Sequence, residues 1–422
     1  MSSPASSSRR RSPMAPLPRV RRGVLRIPAE VAWRLRAGHP WVYRDTLGDR
    51  PLREAPGDIV ELVDPEGGFI ARGYFDPEGA IAVRVLSRDP DEPIDAQAFQ
   101  RRVLSAHRLR EQHLLAPGGP EAALTAYRVL HGEGDFLPGL TVDRYGDYLV
   151  AHVYTAALEP HLGAIYDALE SVHAPRAIYA QRRYRPLGGE AGAREPAELV
   201  RGRAAPLEVQ VQEGSLWFAV DVTAPLGTGL FPDLRLGRQV VRGLAAGRRV
   251  LNLFSYTGAL SLYAAAGGAQ QVVSLDLQSR AHGRARRNLQ LNGMPEAGHE
   301  FITGEAISVL ARMADRRRQF DLVVMDPPAF SHARGQSFSV QKDYRELVAA
   351  ALAVCAPGAL LCCASNAARF TREDMEVALG EGAGWAKRHV RIIGCTGLPV
   401  DFPVPAGFPE GHYLKFLTCA VI

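Results

Sequence analysis

The sequence predicts an α/β protein whose C-terminal half is a doubly wound, mostly parallel sheet. Residues 248–293 read in order as a strand, a tight turn, a helix, a second strand and an acidic residue, Asp276. A third apolar run, residues 320–325, leads directly into Asp326-Pro327-Pro328. Strands that alternate with helices in this way are typical of a parallel sheet built from right-handed crossovers.

The turn after the first of these strands, Ser255-Tyr256-Thr257-Gly258, indicates a ligand site. Gly258 permits close approach of backbone and ligand at a helix N-terminus. Asp276 follows about 20 residues later, where a carboxylate accepts hydrogen bonds from both ribose hydroxyls. The turn lacks the closely spaced glycines that a pyrophosphate requires, which disfavours an NAD-dependent enzyme and favours S-adenosylmethionine. An ordinary βαβ crossover with a chance Asp is the alternative.

The third strand ends in a second candidate element, Asp326-Pro327-Pro328, followed by Phe330. Two successive prolines neither continue a strand ladder nor begin a helix interior. They predict a rigid, extended loop at the carboxyl end of the strand, where open α/β sheets bind ligands. Such a loop would form the wall for a flat base while Asp326 faces the cofactor. An ordinary strand-ending turn is the alternative.

Four stretches together resemble a known family: NLFSYTGALSLYAAAGGAQQVVSLD, DPPAFS, GTGLFPDLR and PEGHYLKFL. They look like bacterial S-adenosylmethionine-dependent methyltransferases of large-subunit ribosomal RNA, especially those that make 5-methylcytosine and carry an N-terminal PUA domain. The resemblance runs from about residue 23 to the end, and its motifs are specific as a set. It implies a Rossmann-like class I methyltransferase domain, S-adenosyl-L-methionine as cofactor and ribosomal RNA as partner.

The domain organisation follows from composition and from this resemblance. The first stretch is Ser, Pro and Arg with almost nothing to bury, which predicts a disordered basic tail. Short strands separated by Pro-Gly and Gly-Gly turns then match a small β-barrel. The predicted units are the tail (1–22), a PUA-like RNA-binding domain (23–92), a middle α/β domain (93–222) and the methyltransferase domain (223–422).

Bulk properties favour a cytoplasmic protein. A net charge of +5 is compatible with an RNA partner without proving one. Five Cys residues without a repeated spacing argue against a disulfide framework or a metal site. No apolar run reaches the length of a membrane span, so no membrane partner is expected. A homodimer is the default possibility for an oligomer.

The resemblance also implies site residues, assigned position by position. Glu305 stands where the family carries an Asp beside the adenine amino group. Arg44 and Arg72 are interpreted as RNA contacts, whereas Trp41 is either a base-stacking residue or barrel core. Pro327, Pro328 and Phe330 would shape the base pocket. The implied cofactor-binding set is Phe231, Arg235, Asn252, Phe254, Ser255, Tyr256, Thr257, Gly258, Asp276, Leu277, Asn288, Glu305, Ala306 and Asp326.

The catalytic candidates are Asp326, Ser365 and Cys363, and one of them departs from the family pattern. Carbon 5 of cytosine is not nucleophilic, and family members activate it by adding a Cys thiolate to carbon 6. Ser365 stands where that Cys belongs, and Cys363 lies two residues earlier on the same strand face. Ser365-Asn366 resembles instead an element of guanine-N7 methyltransferases, which need no covalent intermediate. The different-class alternative is an RNA-binding or ribosome-assembly protein that has lost catalysis.

Overall fold

The computed structural model describes residues 23–48, 54–115, 123–184, 195–333 and 336–422. Side chains are described throughout these ranges except at residues 331–333 and 336–337. The predicted basic tail lies outside the described residues. None of the helices described is long and apolar enough to cross a membrane.

The N-terminal part is a five-stranded sheet closed by one helix. The strand order is β1-β3-β4-β5-β2, with β1 parallel to β3 and the other pairs antiparallel. Asp64 shapes the turn between β3 and β4 by accepting hydrogen bonds from the backbone N–H groups of Glu66 and Gly68. The elements are β1 (Gly23–Arg26), α1 (Ala29–Arg36), β2 (Trp41–Tyr43), β3 (Ile59–Val63), β4 (Phe69–Phe75) and β5 (Ile81–Ser87).

The middle part is a second five-stranded sheet, of order β10-β9-β8-β7-β6, with two packed helices. Asp95 caps the first helix by accepting a hydrogen bond from the Ala98 N–H. The hydrophobic core of this middle part also includes Ile59 and Tyr74 of the first sheet. The elements are α2 (Ala96–His113), β6 (Ala126–His131), β7 (Leu140–Tyr145), β8 (Tyr148–Val153), α3 (Leu162–His173), β9 (Ala177–Arg182) and β10 (Glu198–Gly202).

The C-terminal part begins with a hairpin and continues as a seven-stranded sheet between two layers of helices. Its elements are β11 (Val209–Glu213), β12 (Leu216–Val220), α4 (Arg235–Leu244), β13 (Arg249–Leu253), α5 (Ala259–Ala266), β14 (Gln271–Asp276), α6 (Ser279–Leu291), β15 (His299–Thr303), α7 (Ala306–Asp315), β16 (Phe320–Met325), β17 (Phe330–Ala333), β18 (Gln336–Ser339), α8 (Val340–Ala353), β19 (Cys355–Ser365), α9 (Arg372–Trp385), β20 (Val390–Thr396) and β21 (Lys415–Val421).

The order of the large sheet, β15-β14-β13-β16-β19-β21-β20, confirms the predicted doubly wound fold. Strands β13, β14, β15, β16 and β19 run parallel, and β21 lies antiparallel between β19 and β20. The chain order reverses beside β13, where one crossover leads to β14 and a later one returns to β16. A crevice for ligands forms at such a switch point, outside the carboxyl ends of the strands.

The first part contacts both the middle part and the C-terminal part through its His39-Pro40-Trp41 segment. The Trp41 ring meets Phe408 edge-on at 4.5 Å between centroids, and its Nε1 donates to the Glu133 carboxylate at 2.8 Å. His39 contacts Glu410 at 3.2 Å. Trp41 is therefore not part of the β-barrel core, and its indole is engaged at a domain interface.

Candidate active site

Three predicted elements meet at one edge of the large sheet, where β13, β14 and β16 end side by side. The turn after β13 holds Phe254, Tyr256 and Gly258 at φ values of 58°, 48° and 77°. All three residues lie in the left-handed region of backbone conformation, which is unfavourable for Phe254 and Tyr256 because they are not glycine. Backbone strain of this kind clusters at functional sites. A Cβ on Gly258 would lie 2.7 Å from the Ala285 Cβ, so contact with α6 also requires glycine there.

Asp276, the last residue of β14, fixes the shape of this turn. Its two carboxylate oxygens accept hydrogen bonds from the backbone N–H groups of Tyr256 at 2.8 Å and Gln278 at 2.9 Å. A carboxylate accepts about four hydrogen bonds. The Asp276 side chain can therefore hold the turn and still accept hydrogen bonds from a ligand, and Leu277 follows it as a half-exposed residue.

Two buried polar atoms at the turn have no hydrogen-bond partner among the described residues. They are Ser255 Oγ and Asn252 Oδ1; the Asn252 amide nitrogen donates to Ser261 Oγ at 2.9 Å. Buried polar groups are hydrogen-bonded in the great majority of cases. These two atoms therefore fit a polar ligand or an ordered water bound at the end of β13.

The segment 227–231 is tied over the turn from the other side. Tyr256 stacks on Phe231 with ring centroids 5.5 Å apart, and its hydroxyl donates to the Gly227 carbonyl at 3.0 Å. The Thr257 hydroxyl donates to the Gly229 carbonyl. Asn288 uses both ends of its amide to join the Thr257 carbonyl to the Ala219 N–H. Asn288 thus supports the turn from behind.

Glu305 caps α7 and precedes the buried Ala306. Its carboxylate accepts hydrogen bonds from the backbone N–H groups of Ile307 at 2.9 Å and Ser308 at 2.7 Å. Burial raises the pKa of Glu305, but these hydrogen bonds outweigh it, so the pKa lies below its usual value. An ionised carboxylate with oxygens free to accept further hydrogen bonds fits an amino group at this edge.

Asp326 follows β16 and lies close to a second carboxyl, that of Asp233. Burial, and after it the charge of Asp233, raise the pKa of Asp326 to about 7. The Asp233 carboxylate accepts a hydrogen bond from the Tyr413 hydroxyl at 2.9 Å. Burial raises the pKa of Asp233 as well, and the Tyr413 hydrogen bond only partly offsets it. Two neighbouring carboxyls with raised pKa values are suited to proton exchange near neutral pH.

Pro327 is buried, whereas Pro328 and Phe330 are exposed. The chain has no regular secondary structure from Asp326 to Pro328, bends at residue 329 and then enters β17, which pairs antiparallel with β18. Phe254 from the β13 turn packs against Phe338 of this hairpin, with ring centroids 5.9 Å apart. The exposed Phe330 therefore stands at the mouth of the same edge.

We expect an Asp326→Asn variant to lose the pH dependence of stability that this carboxyl causes. Its folded pKa of about 7 lies above 3.8, the ordinary pKa of an Asp carboxyl in an unfolded chain, so the native state favours the protonated form. The free energy of unfolding of the wild type should therefore fall as pH rises from about 4 to about 7. The full pKa difference corresponds to about 4 kcal/mol, and the actual loss should be smaller because the Asp326 side chain is partly exposed to solvent. Urea unfolding at a series of pH values measures the difference.

Asp321, in the strand β16 that leads to Asp326, is the matched control for this measurement. A hydrogen bond from Arg249 is the main cause that lowers the pKa of Asp321. The ionised Asp321 carboxylate stabilises the fold above the pKa that it has in the unfolded chain, and this stabilisation is lost as pH falls. Asp321→Asn should therefore be less stable than the wild type at pH 8. Equal pH profiles for Asp326→Asn and wild type would contradict the assignment.

The end of β19 does not present a thiol. Cys363 is fully buried beside Cys419 and Tyr344; burial and then the Cys419 hydrogen bond raise the pKa of its thiol well above the usual value. Ser365 is also fully buried, and the Ala367 N–H donates to its Oγ at 3.4 Å. A thiolate is the nucleophilic form of Cys, so this environment disfavours Cys363 as a nucleophile.

Lys415, a residue that the motifs did not single out, lies opposite Ser365 on β21. Its ammonium donates to the carbonyls of Ala367 at 2.7 Å and Tyr413 at 2.9 Å. Burial lowers the pKa of Lys415 to about 8. The lysine joins the loop after β19 to the segment that carries Tyr413. The available sequence signal was a Lys between apolar residues within the PEGHYLKFL motif.

Three predicted contact residues have protein partners. Arg235 is buried in an ion pair with Asp401. Arg72, which is 3% exposed, donates to Glu61 and to the carbonyls of Pro90 and Glu92, so it stabilises the first sheet from within. Arg44 donates to the carbonyls of Asp76 and Gly79 and holds the loop after β4.

Arg128 of β6 brings the middle sheet to the same region. It pairs with Asp143 at 2.6 Å and lies over the Phe402 ring at 4.4 Å. Burial lowers the pKa of Arg128, but Asp143 first, and then Tyr413 and Tyr154, raise it overall. Asp143 is a buried residue of β7, and this arginine compensates its charge.

Comparison with known proteins agrees with this geometry. The S-adenosylmethionine-dependent methyltransferase family matches residues 127–383, and the PUA-like domain family matches residues 25–88. A Streptococcus mutans protein assigned as an S-adenosylmethionine-dependent methyltransferase has the same fold, with a TM-score of 0.84 and 24% identity over 94% of this chain and 100% of its own. A structure assigned as a methyltransferase complexed with SAH gives 0.85 at the same identity and coverage.

The fold and the site thus define an S-adenosylmethionine-dependent methyltransferase with an N-terminal PUA-like domain. Similar curated proteins include ribosomal RNA large subunit methyltransferase I of Photobacterium profundum, 32% identical over 92% of this chain and 96% of that protein. The Erwinia tasmaniensis protein of the same name is 33% identical over 91% and 96%. The chain belongs to this methyltransferase family, and its cofactor is S-adenosylmethionine.

Proposed function

We propose that this chain methylates a base of large-subunit ribosomal RNA. The relatives named above carry this activity in their names. The observation that carries the proposal is the polar edge where Asp326 and Asp233 meet Tyr413 and Arg128, next to the Asp276 turn. A nucleic-acid base has hydrogen-bonding groups along its edge and a flat aromatic face. In this site, the carboxyls would bind the hydrogen-bonding groups of the base and Phe330 would contact its flat face.

The cofactor contacts are part of the proposal. Asp276 accepts hydrogen bonds from the ribose hydroxyls, and Glu305 accepts one from the adenine amino group. Ser255 and Asn252 offer their unpartnered oxygens to the polar end of the ligand. Phe231 and Tyr256 cover the site together. S-adenosylmethionine supplies a methyl group on a sulfonium, so the protein needs to position the acceptor and exclude water.

The target atom proposed is a base nitrogen with its own lone pair, such as guanine N7. Cys363 is buried with a raised thiol pKa, and Ser365 stands in the family position of the nucleophile. Without a thiolate, carbon 5 of cytosine lacks its activating step. Cytosine carbon 5 is the second candidate, because the family resemblance implies it.

Labelled S-adenosylmethionine, ribosomal RNA and nucleoside mass spectrometry test this function. We expect labelled 7-methylguanosine, made at similar rates by wild type and Cys363→Ala, because no covalent adduct forms. Cys362→Ala is the matched control, since Cys362 is equally buried on the opposite face of the same strand. Labelled 5-methylcytosine with a loss of at least about 1000-fold in Cys363→Ala alone would overturn the nitrogen proposal. No labelled nucleoside at all would overturn RNA methylation.

Two further expectations stay predictions. A cytoplasmic location is one. A homodimer is the other, and the edge strand β20 with exposed Ile392 and Ile393 is a surface that a second copy could cover. Size-exclusion chromatography with light scattering measures the oligomeric state.

A further inference from the structure

A cavity of about 400 Å³ lies between the first and middle sheets, separate from the Asp276 turn. Ligand sites in proteins occupy about 300–1,000 Å³, so this one has room for a nucleoside-sized group. One wall is the loop after β4, residues 76–81, together with Arg84. The opposite wall comes from the ends of β8 and β9 and carries Tyr154 and Tyr184.

The cavity walls are held in place by hydrogen bonds. Arg44 donates to the carbonyls of Asp76 and Gly79, and the Asp76 carboxylate accepts from the N–H groups of Glu78 and Gly79 at 3.0 Å. The Thr155 hydroxyl also donates to Asp76, which joins the two sheets. The cavity is therefore prearranged and does not require a binding partner to form it.

The lining chemistry fits a flat, uncharged ring with polar edges. Tyr154 is 47% exposed, and Tyr184 is held by its hydroxyl hydrogen bond to Glu159. Both contacts of the Arg84 guanidinium, with the Ile81 carbonyl at 3.5 Å and the Asp76 carboxylate at 3.6 Å, are long. Arg84 is 7% exposed and lines the cavity, so its guanidinium can contact a ligand there. Asp76 and Glu78 also line the cavity, which opposes a phosphate and favours a neutral base.

Tyr154, at the cavity, follows β8 of the middle sheet, and β6 of the same sheet carries Arg128. Strand β7 lies between β6 and β8, and its Asp143 pairs with Arg128 at 2.6 Å. One RNA strand running along this path would meet the cavity and the Asp326 edge in succession. Sequence-specific proteins recognise single-stranded RNA by stacking unpaired bases on aromatic rings and reading their edges.

We propose that this cavity binds a second, unstacked base of the substrate RNA strand, stacked on Tyr154 and contacted at its edge by Arg84. The inference rests on the proposed RNA methylation. The cavity is a recognition subsite separate from the site that holds the base receiving the methyl group. The cavity would thereby select the sequence around the target.

A Tyr154→Ala variant tests the subsite through its KM for ribosomal RNA. Loss of one stacked base should raise this KM by about 5- to 150-fold, while the Kd for S-adenosylmethionine stays within about twofold. Tyr154→Phe keeps the ring and should remain near wild type. Trp385→Ala removes another exposed aromatic ring, on α9, and should have no effect. An unchanged KM in Tyr154→Ala overturns the proposal, whereas failure of wild type to methylate RNA overturns the proposed function instead.

Photocrosslinking provides a readout that does not depend on catalysis. A large-subunit RNA fragment containing 4-thiouridine should crosslink to peptides that contain Tyr154 or Tyr184, as identified by mass spectrometry. Absence of such a crosslink, while crosslinks form elsewhere on the protein, overturns the proposal. A free nucleotide presents the same ring, so adenosine and uridine monophosphates form the second arm. Micromolar, Tyr154-dependent binding of either, without a change in KM for RNA, overturns the RNA assignment.

Discussion

An Asp276→Ala variant is expected to lose S-adenosylmethionine affinity by about 100-fold or more. The carboxylate would accept hydrogen bonds from both ribose hydroxyls, and bonds to a charged group contribute about 1.5–3 kcal/mol each. The same carboxylate holds the Tyr256 and Gln278 N–H groups, so its loss also releases the turn. Isothermal titration calorimetry measures the Kd, and the methylation rate should fall with it.

Asp321→Ala is the control that separates cofactor binding from general destabilisation. Asp321 also accepts a hydrogen bond from a backbone N–H, that of Arg249 at 2.9 Å, but at the amino end of β16. Both variants should lower the unfolding midpoint, whereas only Asp276→Ala should lose cofactor affinity. Equal Kd values for the two variants would show that Asp276 supports the turn without touching the ligand.

An Asp401→Ala variant is expected to lose about 3–5 kcal/mol of folding free energy, which is the usual cost of breaking a buried ion pair. Asp401 is 0% exposed and pairs with Arg235 of α4, which is 1% exposed. It also accepts a hydrogen bond from the Arg128 N–H at 2.9 Å, so it joins the C-terminal part to the middle sheet. Urea unfolding followed by near-ultraviolet circular dichroism measures the loss.

Two further variants identify its cause. The surface pair Arg287–Glu208 has both side chains about 40% exposed, so Glu208→Ala should cost less than about 1 kcal/mol. If the cost in Asp401→Ala comes from an unpaired buried guanidinium, adding Arg235→Met should restore part of the stability. A double variant as unstable as Asp401→Ala would point to the Arg128 hydrogen bond instead. Retention of cofactor affinity in the double variant would also contradict a cofactor contact by Arg235.

The ion pair between Arg235 and Asp401 shows why the motif that contains Arg235 could not reveal what this side chain contacts. GTGLFPDLR places Arg235 near the cofactor by resemblance, but its partner lies 166 residues away in the chain. The same holds for Arg72, which the resemblance to a PUA domain suggested as an RNA contact and whose donors bind its own domain. An arginine is free or engaged according to its tertiary neighbours, and a motif does not contain them.

The sequence by itself determined the fold class, and the resemblance carried by its motifs determined the family and the cofactor. These depend on local patterns: apolar runs that lead into the turn at 255–258, into Asp276 and into Asp326, each at the carboxyl end of a strand. Only the tertiary structure decided that Cys363 is fully buried, that Trp41 joins two domains, and that Lys415 lies opposite Ser365. Burial and long-range pairing set those properties, because both depend on chain segments that are distant in the sequence coming together.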